Sequence, residues 1–241
     1  MTPPELSDLL REHFGHIYVI NLRERADRRR EVGRQLERVG LRFGDPFVTR
    51  FDARKPTHGG PFSNPGVYGC FQSHRDVLRE AAEAGHDSVL VLEDDFDFSA
   101  EIGRIAGPVL GALAAKDWSH ARLGHNEPRD GAGGVERITS GLGMITLHCI
   151  GWRGRVITEA ADFLDEVLGR EPGDPAGGPQ PVDGAFNTFI AQRPDLEAYL
   201  AVPTLGFQRS SRSDIAAGKW FDRLPVARSL AGAARSVLRR G

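Results

Sequence analysis

Four acidic residues follow the most hydrophobic segment of the chain. The segment 88–92 (SVLVL) is succeeded by Glu93, Asp94, Asp95 and Asp97. An unbroken apolar run of this length is typical of a fully buried strand, and ligands of open α/β sheets bind at the carboxyl ends of such strands. Neighbouring carboxylates repel one another, and a hard divalent cation, Mg²⁺ or Mn²⁺, relieves that repulsion. The pattern therefore predicts a metal site, with a solvated acidic turn as the alternative.

The elements that would position these carboxylates alternate along the first half of the chain. Apolar, β-branched runs predict strands over residues 16–22, 47–51 and 88–95. A helix capped by Asp27 is predicted after the first strand, and a second helix over about 68–84 before the last. This alternation predicts an α/β fold with a mostly parallel, Rossmann-like sheet flanked by helices.

The second half of the chain is less regular. Gly/Pro-rich stretches predict long loops over 125–134 and 169–181. The remaining patterns predict strands over 143–150 and 198–202, a helix over 156–168 and another that starts near Asp183. We expect a single domain over residues 1–223, followed by a basic helix or tail over 224–241.

Composition narrows the classes of protein that need to be considered. The 241 residues carry a formal net charge of −2, so a general polyanion binder is disfavoured and no nucleic-acid partner is expected. Residues 1–16 lack the pattern of a signal peptide, and no apolar run could cross a bilayer, so we expect a cytoplasmic protein. The only cysteines, Cys70 and Cys149, are too far apart in sequence to indicate a disulfide framework or a metal site, and are expected to be buried free thiols.

Four segments of the chain carry motifs: residues 16–30 (HIYVINLRERADRRR), 69–95 (with GC, SH and LEDD), 181–183 (PVD) and 213–215 (SDI). Together these segments resemble glycosyltransferase family 25, which includes bacterial lipopolysaccharide galactosyl- and glucosyltransferases and collagen galactosyltransferases. The resemblance implies a GT-A-like fold, a nucleotide-sugar donor, an acidic metal-binding motif and inversion at the anomeric carbon. It also implies a donor half over about residues 16–100 and an acceptor half over about 101–223.

Motif position implies roles for the acidic run. Asp95 becomes the first choice as direct ligand of Mn²⁺ or Mg²⁺. Glu93 is expected to ligate or assist, and Asp94 to assist through the metal, water or ribose hydroxyls. Asp97 lies just outside the motif and would only extend the acidic rim.

The same resemblance implies donor contacts elsewhere. Asn21, Arg23 and Arg28 are expected to contact the base or the diphosphate, although a solvated helix face is the favoured alternative for Arg23. Ser73 and His74 match the family's SH pair and are expected at the donor site, with a structural histidine as the alternative.

Asp183 matches the aspartate of the family's PVD motif and would be the general base that takes the acceptor hydroxyl's proton. A simple helix N-cap is the alternative. His148 stands where the family often carries a His-Ala-Tyr triplet, but here Cys149 and Ile150 follow, so acceptor specificity does not carry over. Trp152 could stack on a sugar ring, and a core tryptophan is the favoured interpretation.

The C-terminal region completes the resemblance. Arg209 or Arg212, beside the 213–215 motif, is expected near the diphosphate. The basic segment 224–241 either packs on the domain, which is favoured, or rests on an anionic membrane surface, as a lipid-linked acceptor would suit.

The leading hypothesis is a metal-dependent, inverting hexosyltransferase that uses a UDP-linked sugar and a glycan, lipid-linked or small-molecule acceptor. A non-catalytic nucleotide-sugar-binding homologue is the alternative. A haloacid-dehalogenase-type phosphohydrolase is disfavoured, because neither downstream lysine, Lys116 or Lys219, has a convincing acidic pair.

Overall fold

The structure is a computed structural model and describes residues 1–125, 131, 133–139 and 147–209. These residues contain six helices: α1 (Pro3–His13), α2 (Ala26–Arg38), α3 (Pro65–Glu83), α4 (Ile102–Ala114), α5 (Val156–Gly169) and α6 (Val182–Ala191). They also contain nine strands: β1 (His16–Asn21), β2 (Val48–Asp52), β3 (Ser88–Glu93), β4 (Phe96–Phe98), β5 (His120–Gly124), β6 (Gly134–Arg137), β7 (Cys149–Arg153), β8 (Ala198–Val202) and β9 (Gly206–Gln208).

The main sheet has the strand order β2-β1-β3-β7-β5-β8-β6. β1 pairs in parallel with β2 and β3, and β5 pairs in parallel with β8. β7 is antiparallel to both β3 and β5, and β6 is antiparallel to β8. Because β7 is antiparallel to both of its neighbours, β3 and β5 run in the same direction. The strands parallel to them, β1, β2 and β8, share that direction. The predicted mostly parallel α/β sheet is confirmed, and the short β4–β9 pair lies beside it.

Helices cover both faces of this sheet. One hydrophobic core is built against α3, α5 and α6, and the other against α1, α2 and α4. Trp152 on β7 is fully buried in the first core, which confirms the prediction of a core tryptophan. The sequence analysis did not predict α1, whose Leu6 and Leu10 are buried in the second core.

Two helix starts differ from the sequence prediction. The N-cap of α2 is Arg25 rather than Asp27, and Asp27 lies in the first turn, bound by the Arg25 guanidinium. α3 begins at Pro65, three residues before its predicted start, because the Asn64 side chain accepts a hydrogen bond from the Val67 amide (2.9 Å) and proline suits the first helical position.

Some predictions fall on residues outside the described ranges. Of the strand predicted over 143–150, only the last two residues belong to β7, and 143–146 are not described. Arg212, the 213–215 motif and the basic segment 224–241 also lie outside the described residues, so their predicted roles and the domain boundary at 223 stay predictions. Within the described residues, no helix is long and apolar enough to span a membrane.

Candidate active site

The acidic run lies where β3 turns into β4, at the carboxyl edge of the parallel strands. Glu93 is the last residue of β3 and lies opposite Ile20 of β1 in the parallel register. Asp94 and Asp95 form the turn, and both are buried. The edge where the sequence predicts a ligand site therefore carries three neighbouring carboxylates.

Asp94 is held firmly by its neighbours. Asn21 Nδ2 donates to Asp94 Oδ2 (2.8 Å), and Arg28 Nη1 donates to Asp94 Oδ1 (2.9 Å). Asn21 also donates to the Arg25 carbonyl (3.3 Å), which ties the start of α2 to the turn. Burial raises the pKa of Asp94, and the contacts with Asn21 and Arg28 oppose that shift without reversing it. The structure thus brings Asn21 and Arg28 to the predicted site, where they bind this carboxylate.

The charge of Asp95 is balanced by longer contacts than that of Asp94. Its Oδ2 receives two long contacts, from Arg28 Nη1 and from Gln208 Nε2, both at 3.4 Å. Its Oδ1 is buried and has no hydrogen-bond partner among the described residues. Burial, reinforced by the charge of Glu93, raises the pKa of Asp95 to about 7. A buried carboxylate with an unsatisfied oxygen is a suitable ligand for a hard divalent cation, because the cation supplies the missing positive charge.

Glu93 points toward α3. His74 Nε2 lies 3.0 Å from Glu93 Oε1, and the Cys70 sulfur lies 4.0 Å from the same oxygen. Burial raises the pKa of Glu93, but the hydrogen bond to His74 and the nearby positive charges outweigh it and leave that pKa lowered. His74, predicted at the donor site, therefore lies in direct contact with the acidic run.

Cys70 and Cys149 are both free, as predicted, but only Cys149 is buried as predicted, since Cys70 is partly buried. Cysteine spacing gave no indication of what surrounds Cys70. One possible ligand atom from each of Cys70, His74 and Glu93 lies within 4.8 Å of the others, which is close enough for these three side chains to hold a metal ion. Burial, together with the charge of Glu93, raises the pKa of Cys70 well above its ordinary value. Without a metal the thiol therefore stays protonated.

Asp183 lies in the first turn of α6, on the side of the sheet to which Glu93 points. Its Oδ1 accepts a hydrogen bond from the Gly184 amide (3.0 Å), and the N-cap of the helix is Pro181. Burial raises the pKa of Asp183, the charge of Glu93 adds to the rise, and the charge of Arg122 opposes it. The structure thus brings the predicted base within electrostatic reach of the acidic run, and Asp183 is not the N-cap that the alternative required.

Arg122 is a site residue that the sequence analysis missed. It lies on β5, is fully buried, and donates from Nη2 to Asn187 Oδ1 of α6 (2.6 Å). The sequence feature that could have revealed Arg122 is its position between the apolar residues Ala121 and Leu123. No strand was predicted for this segment. Burial lowers the pKa of Arg122 to about 10, so its side chain remains charged at neutral pH.

Arg209 anchors β9 against the acidic turn. Its guanidinium pairs with Asp97 (2.5 and 3.1 Å) and with Glu31 (2.5 Å), and its backbone amide donates to the Asp95 carbonyl (2.6 Å). The structure therefore places Arg209 next to the predicted metal site, with carboxylates as its present partners. Its contact with a diphosphate stays a prediction.

The structure does not bring Ser73 and Arg23 into contact with the acidic run. Ser73 is fully buried, donates to the Gly69 carbonyl (2.6 Å) and accepts from the Arg54 amide (2.8 Å), so it ties the 54–64 loop to α3. Arg23 is exposed, and its carbonyl accepts from Arg29 (3.4 Å). Their donor contacts stay predictions.

His148 lies at the same sheet edge. Its carbonyl accepts a hydrogen bond from the Glu93 amide (3.1 Å), and its buried ring stacks on Phe96, with centroids 5.7 Å apart. Burial lowers the pKa of His148 to about 4, so the ring is neutral at pH 7. This neutral, buried ring packs at the turn through its contact with Phe96.

The chain is similar in sequence to known glycosyltransferases. Procollagen galactosyltransferase 1-B of Xenopus laevis is 29% identical over 149 residues, an alignment that covers 52% of this chain and 24% of that protein. A glycosyltransferase 25 family member of Anopheles gambiae is 32% identical over 113 residues, covering 40% of this chain and 19% of the relative. The resemblance to glycosyltransferase family 25 is confirmed. No protein-family model matches the chain.

These family 25 relatives are much longer than the aligned part, because the alignments span about a quarter or less of their length. Among solved structures, a glycosyltransferase involved in the glycosylation of the major capsid of PBCV-1 superposes with a TM-score of 0.51. That match covers 83% of this chain and 95% of the other at 11% sequence identity. The likeness confirms the predicted GT-A-like α/β fold and carries no information about individual site residues.

Proposed function

We propose that the protein is a metal-dependent, inverting glycosyltransferase that moves a hexose from a nucleotide sugar to an acceptor hydroxyl. The observation that carries the proposal is the buried acidic turn, in which Asp95 Oδ1 lacks a partner among the described residues while Asp183 lies within electrostatic reach. Two carboxylates in different environments suit two different tasks, charge neutralisation and proton transfer. The likeness to family 25 supports the same conclusion.

The acidic turn suits a hard cation. Asp95 and Glu93 would hold Mn²⁺ or Mg²⁺, because carboxylate oxygens are the ligands that these ions prefer and because Asp95 Oδ1 has no other described partner. When bound, the ion would stabilise the negative charge that develops on the leaving nucleoside diphosphate. Asn21 and Arg28 keep the turn in place through Asp94, and Arg28 also contacts Asp95.

Asp183 is the proposed general base. In an inverting transfer the acceptor hydroxyl attacks the anomeric carbon opposite the leaving group while a base removes its proton. Burial raises the pKa of Asp183, which makes the ionised carboxylate a stronger proton acceptor, and Arg122 limits that rise. The side chain therefore combines basicity with a counter-charge that favours its ionised form.

The donor and acceptor follow from the family resemblance. We propose a UDP-linked hexose as donor and a glycan, lipid-linked or small-molecule hydroxyl as acceptor, in the cytoplasm. Lipopolysaccharide biosynthesis is one setting in which such acceptors occur. The basic segment 224–241 would offer a peripheral contact with an anionic membrane if the acceptor is lipid-linked.

The test is a donor panel. Purified protein is incubated with UDP-, GDP- and CDP-hexoses, with and without Mn²⁺ or Mg²⁺ and candidate acceptors, and nucleoside diphosphate release is followed. We expect release from one donor class, dependent on the metal and increased by an acceptor. Donor binding without release would support the non-catalytic alternative, and hydrolysis of simple phosphomonoesters would support a phosphohydrolase.

A further inference from the structure

Arg122 has an unusual position for a charged side chain. It is fully buried on β5, one of the strands in the middle of the sheet, and its guanidinium lies beneath α6. Buried charges are costly unless partners compensate them, so a fully buried arginine calls for an explanation in terms of what its charge does. The proposed roles in metal binding and donor binding do not include Arg122.

The geometry of α6 relates Arg122 to the proposed base. Asp183 and Asn187 are four residues apart on this helix, so their side chains share one face, one turn apart. Arg122 Nη2 donates to Asn187 Oδ1 at 2.6 Å, a short bond from a charged donor. The guanidinium is therefore held against the helix face that carries Asp183.

His120 supports the other edge of the guanidinium. It lies two residues before Arg122 on β5, so both side chains point to the same face of the sheet. Arg122 Nε donates to His120 Nε2 at 3.4 Å, and the His120 ring lies against Trp152, with centroids 4.1 Å apart. Burial and the charge of Arg122 lower the pKa of His120 well below its ordinary value, so the ring is neutral and can accept this bond.

We propose that Arg122 is a positioning residue for Asp183, with His120 and Asn187 fixing the guanidinium beneath the first turn of α6. This inference rests on the proposed function, in which Asp183 is the general base. Arg122 acts on the charge and orientation of that carboxylate and does not itself touch the reacting atoms.

Among the described residues, three ionisable groups interact electrostatically with Asp183. Arg122 on β5 lowers its pKa, and Glu93 on β3 raises it. Cys70 on α3 interacts with Asp183 as well, but its thiol is protonated and carries no charge at neutral pH. Removing Arg122 therefore leaves the partly buried Asp183 under the influence of the Glu93 charge without its described cationic neighbour, and the pKa of Asp183 should rise.

The experiment titrates Asp183 directly, in metal-free protein, so that it does not depend on sugar transfer. Protein labelled with carboxyl-¹³C aspartate is titrated by NMR, and the Asp183 resonance is assigned by its loss in Asp183→Asn. The variants are Arg122→Met, Arg122→Lys and Asn187→Leu. Arg193→Met is the matched control, because Arg193 follows α6 at its other end and pairs with Glu159 and Asp195.

We expect Arg122→Met to raise the pKa of Asp183 by about one unit or more. Arg122→Lys and Asn187→Leu should raise it less, because the first keeps a charge and the second keeps the arginine but loosens it. Arg193→Met should leave it unchanged. An unchanged Asp183 titration in Arg122→Lys and Asn187→Leu as well as in Arg122→Met would overturn the proposal, and the two milder variants keep the test decisive if Arg122→Met does not fold.

Kinetics then separate this inference from the proposed function. In an active protein, Arg122→Met should lower kcat about 10- to 100-fold with little change in donor KM, and shift the acid limb of the pH profile upward. A loss of donor binding instead would show that Arg122 belongs to the donor site and would overturn the positioning role. If the wild-type protein transfers no sugar, the proposed function fails, whereas the titration still decides whether Arg122 controls Asp183.

Discussion

The acidic turn after β3 carries the buried carboxylates of Asp94 and Asp95, and the first turn of α6 carries the partly buried carboxylate of Asp183, but their charges are balanced differently. At the acidic turn, Arg28 contacts both Asp94 and Asp95, at 2.9 and 3.4 Å. At α6, Asp183 has Arg122 as a described cationic neighbour. The acidic turn therefore holds more negative than positive charge among the described residues, whereas at α6 a described cation acts on a single carboxylate of the helix.

This difference teaches which task each region suits. The excess of negative charge at the acidic turn favours a cation, because added positive charge stabilises the ionised form of Asp95. A carboxylate with a cationic neighbour does not need a metal to balance its charge, and the raised pKa of Asp183 makes it a better proton acceptor. The acidic turn is thus suited to a metal and a diphosphate, and α6 to the acceptor hydroxyl.

The largest effect should come from removing the base. Asp183→Asn keeps the size of the side chain and removes its ability to accept a proton, so kcat should fall about 10²- to 10⁴-fold while donor binding is kept. Transfer rates and donor affinity measured on the same preparation check this. Asp195→Asn, which changes an exposed carboxylate beyond the far end of α6, is the control. Transfer that survives in Asp183→Asn would remove Asp183 as the base and end the contrast between the two regions.

The next effect concerns the metal. Asp95→Asn should weaken Mn²⁺ binding in the presence of UDP by about 100-fold, since even residues that only support metal ligands contribute 10- to 100-fold. Free Mn²⁺ can be measured by electron paramagnetic resonance. Asp97→Asn is the matched control, because this carboxylate on β4, two residues from Asp95, is engaged by Arg209. Equal Mn²⁺ affinity in both variants would contradict the assignment of the metal to the acidic turn.

The last prediction concerns the pH dependence of stability in metal-free protein. Asp95 has an ordinary pKa of 3.8 that is raised to about 7 in the folded protein, so the folded state binds more protons than the unfolded state between these values. Stability should therefore fall as pH rises from about 4 to about 7. Thermal melts should show a shallower fall in Asp95→Asn. If stability depends on pH in the same way in the variant, the pKa of Asp95 is not raised in the folded protein. The acidic turn would then not differ from α6 in how its charge is balanced.

The sequence predicts the strands with continuous apolar runs well because these runs are local patterns. The apolar run before Glu93 is buried on both sides, and the strand predicted over 198–202 is β8. β5 was missed because its five residues include His120 and Arg122, which are polar but buried against α6 and Trp152. Such burial depends on partners distant in sequence, and no local pattern reports them.

The candidate site divides in the same way. Motifs brought Asn21, Arg28, Glu93 and Asp183 to attention, and the structure places them around one sheet edge. Motifs could not show that Asp94 is engaged by two partners while its neighbour Asp95 keeps an unpartnered oxygen. That distinction arises from the turn geometry and from Gln208, which is 113 residues away in sequence.

The most direct test of the account is calorimetric titration of the protein with UDP, GDP and CDP, each with and without Mn²⁺. We expect UDP to bind only when Mn²⁺ is present. The negative charge of the acidic turn repels a diphosphate unless a cation lies between them. Binding of none of the three nucleotides, or binding that is equally strong without Mn²⁺, would contradict the account.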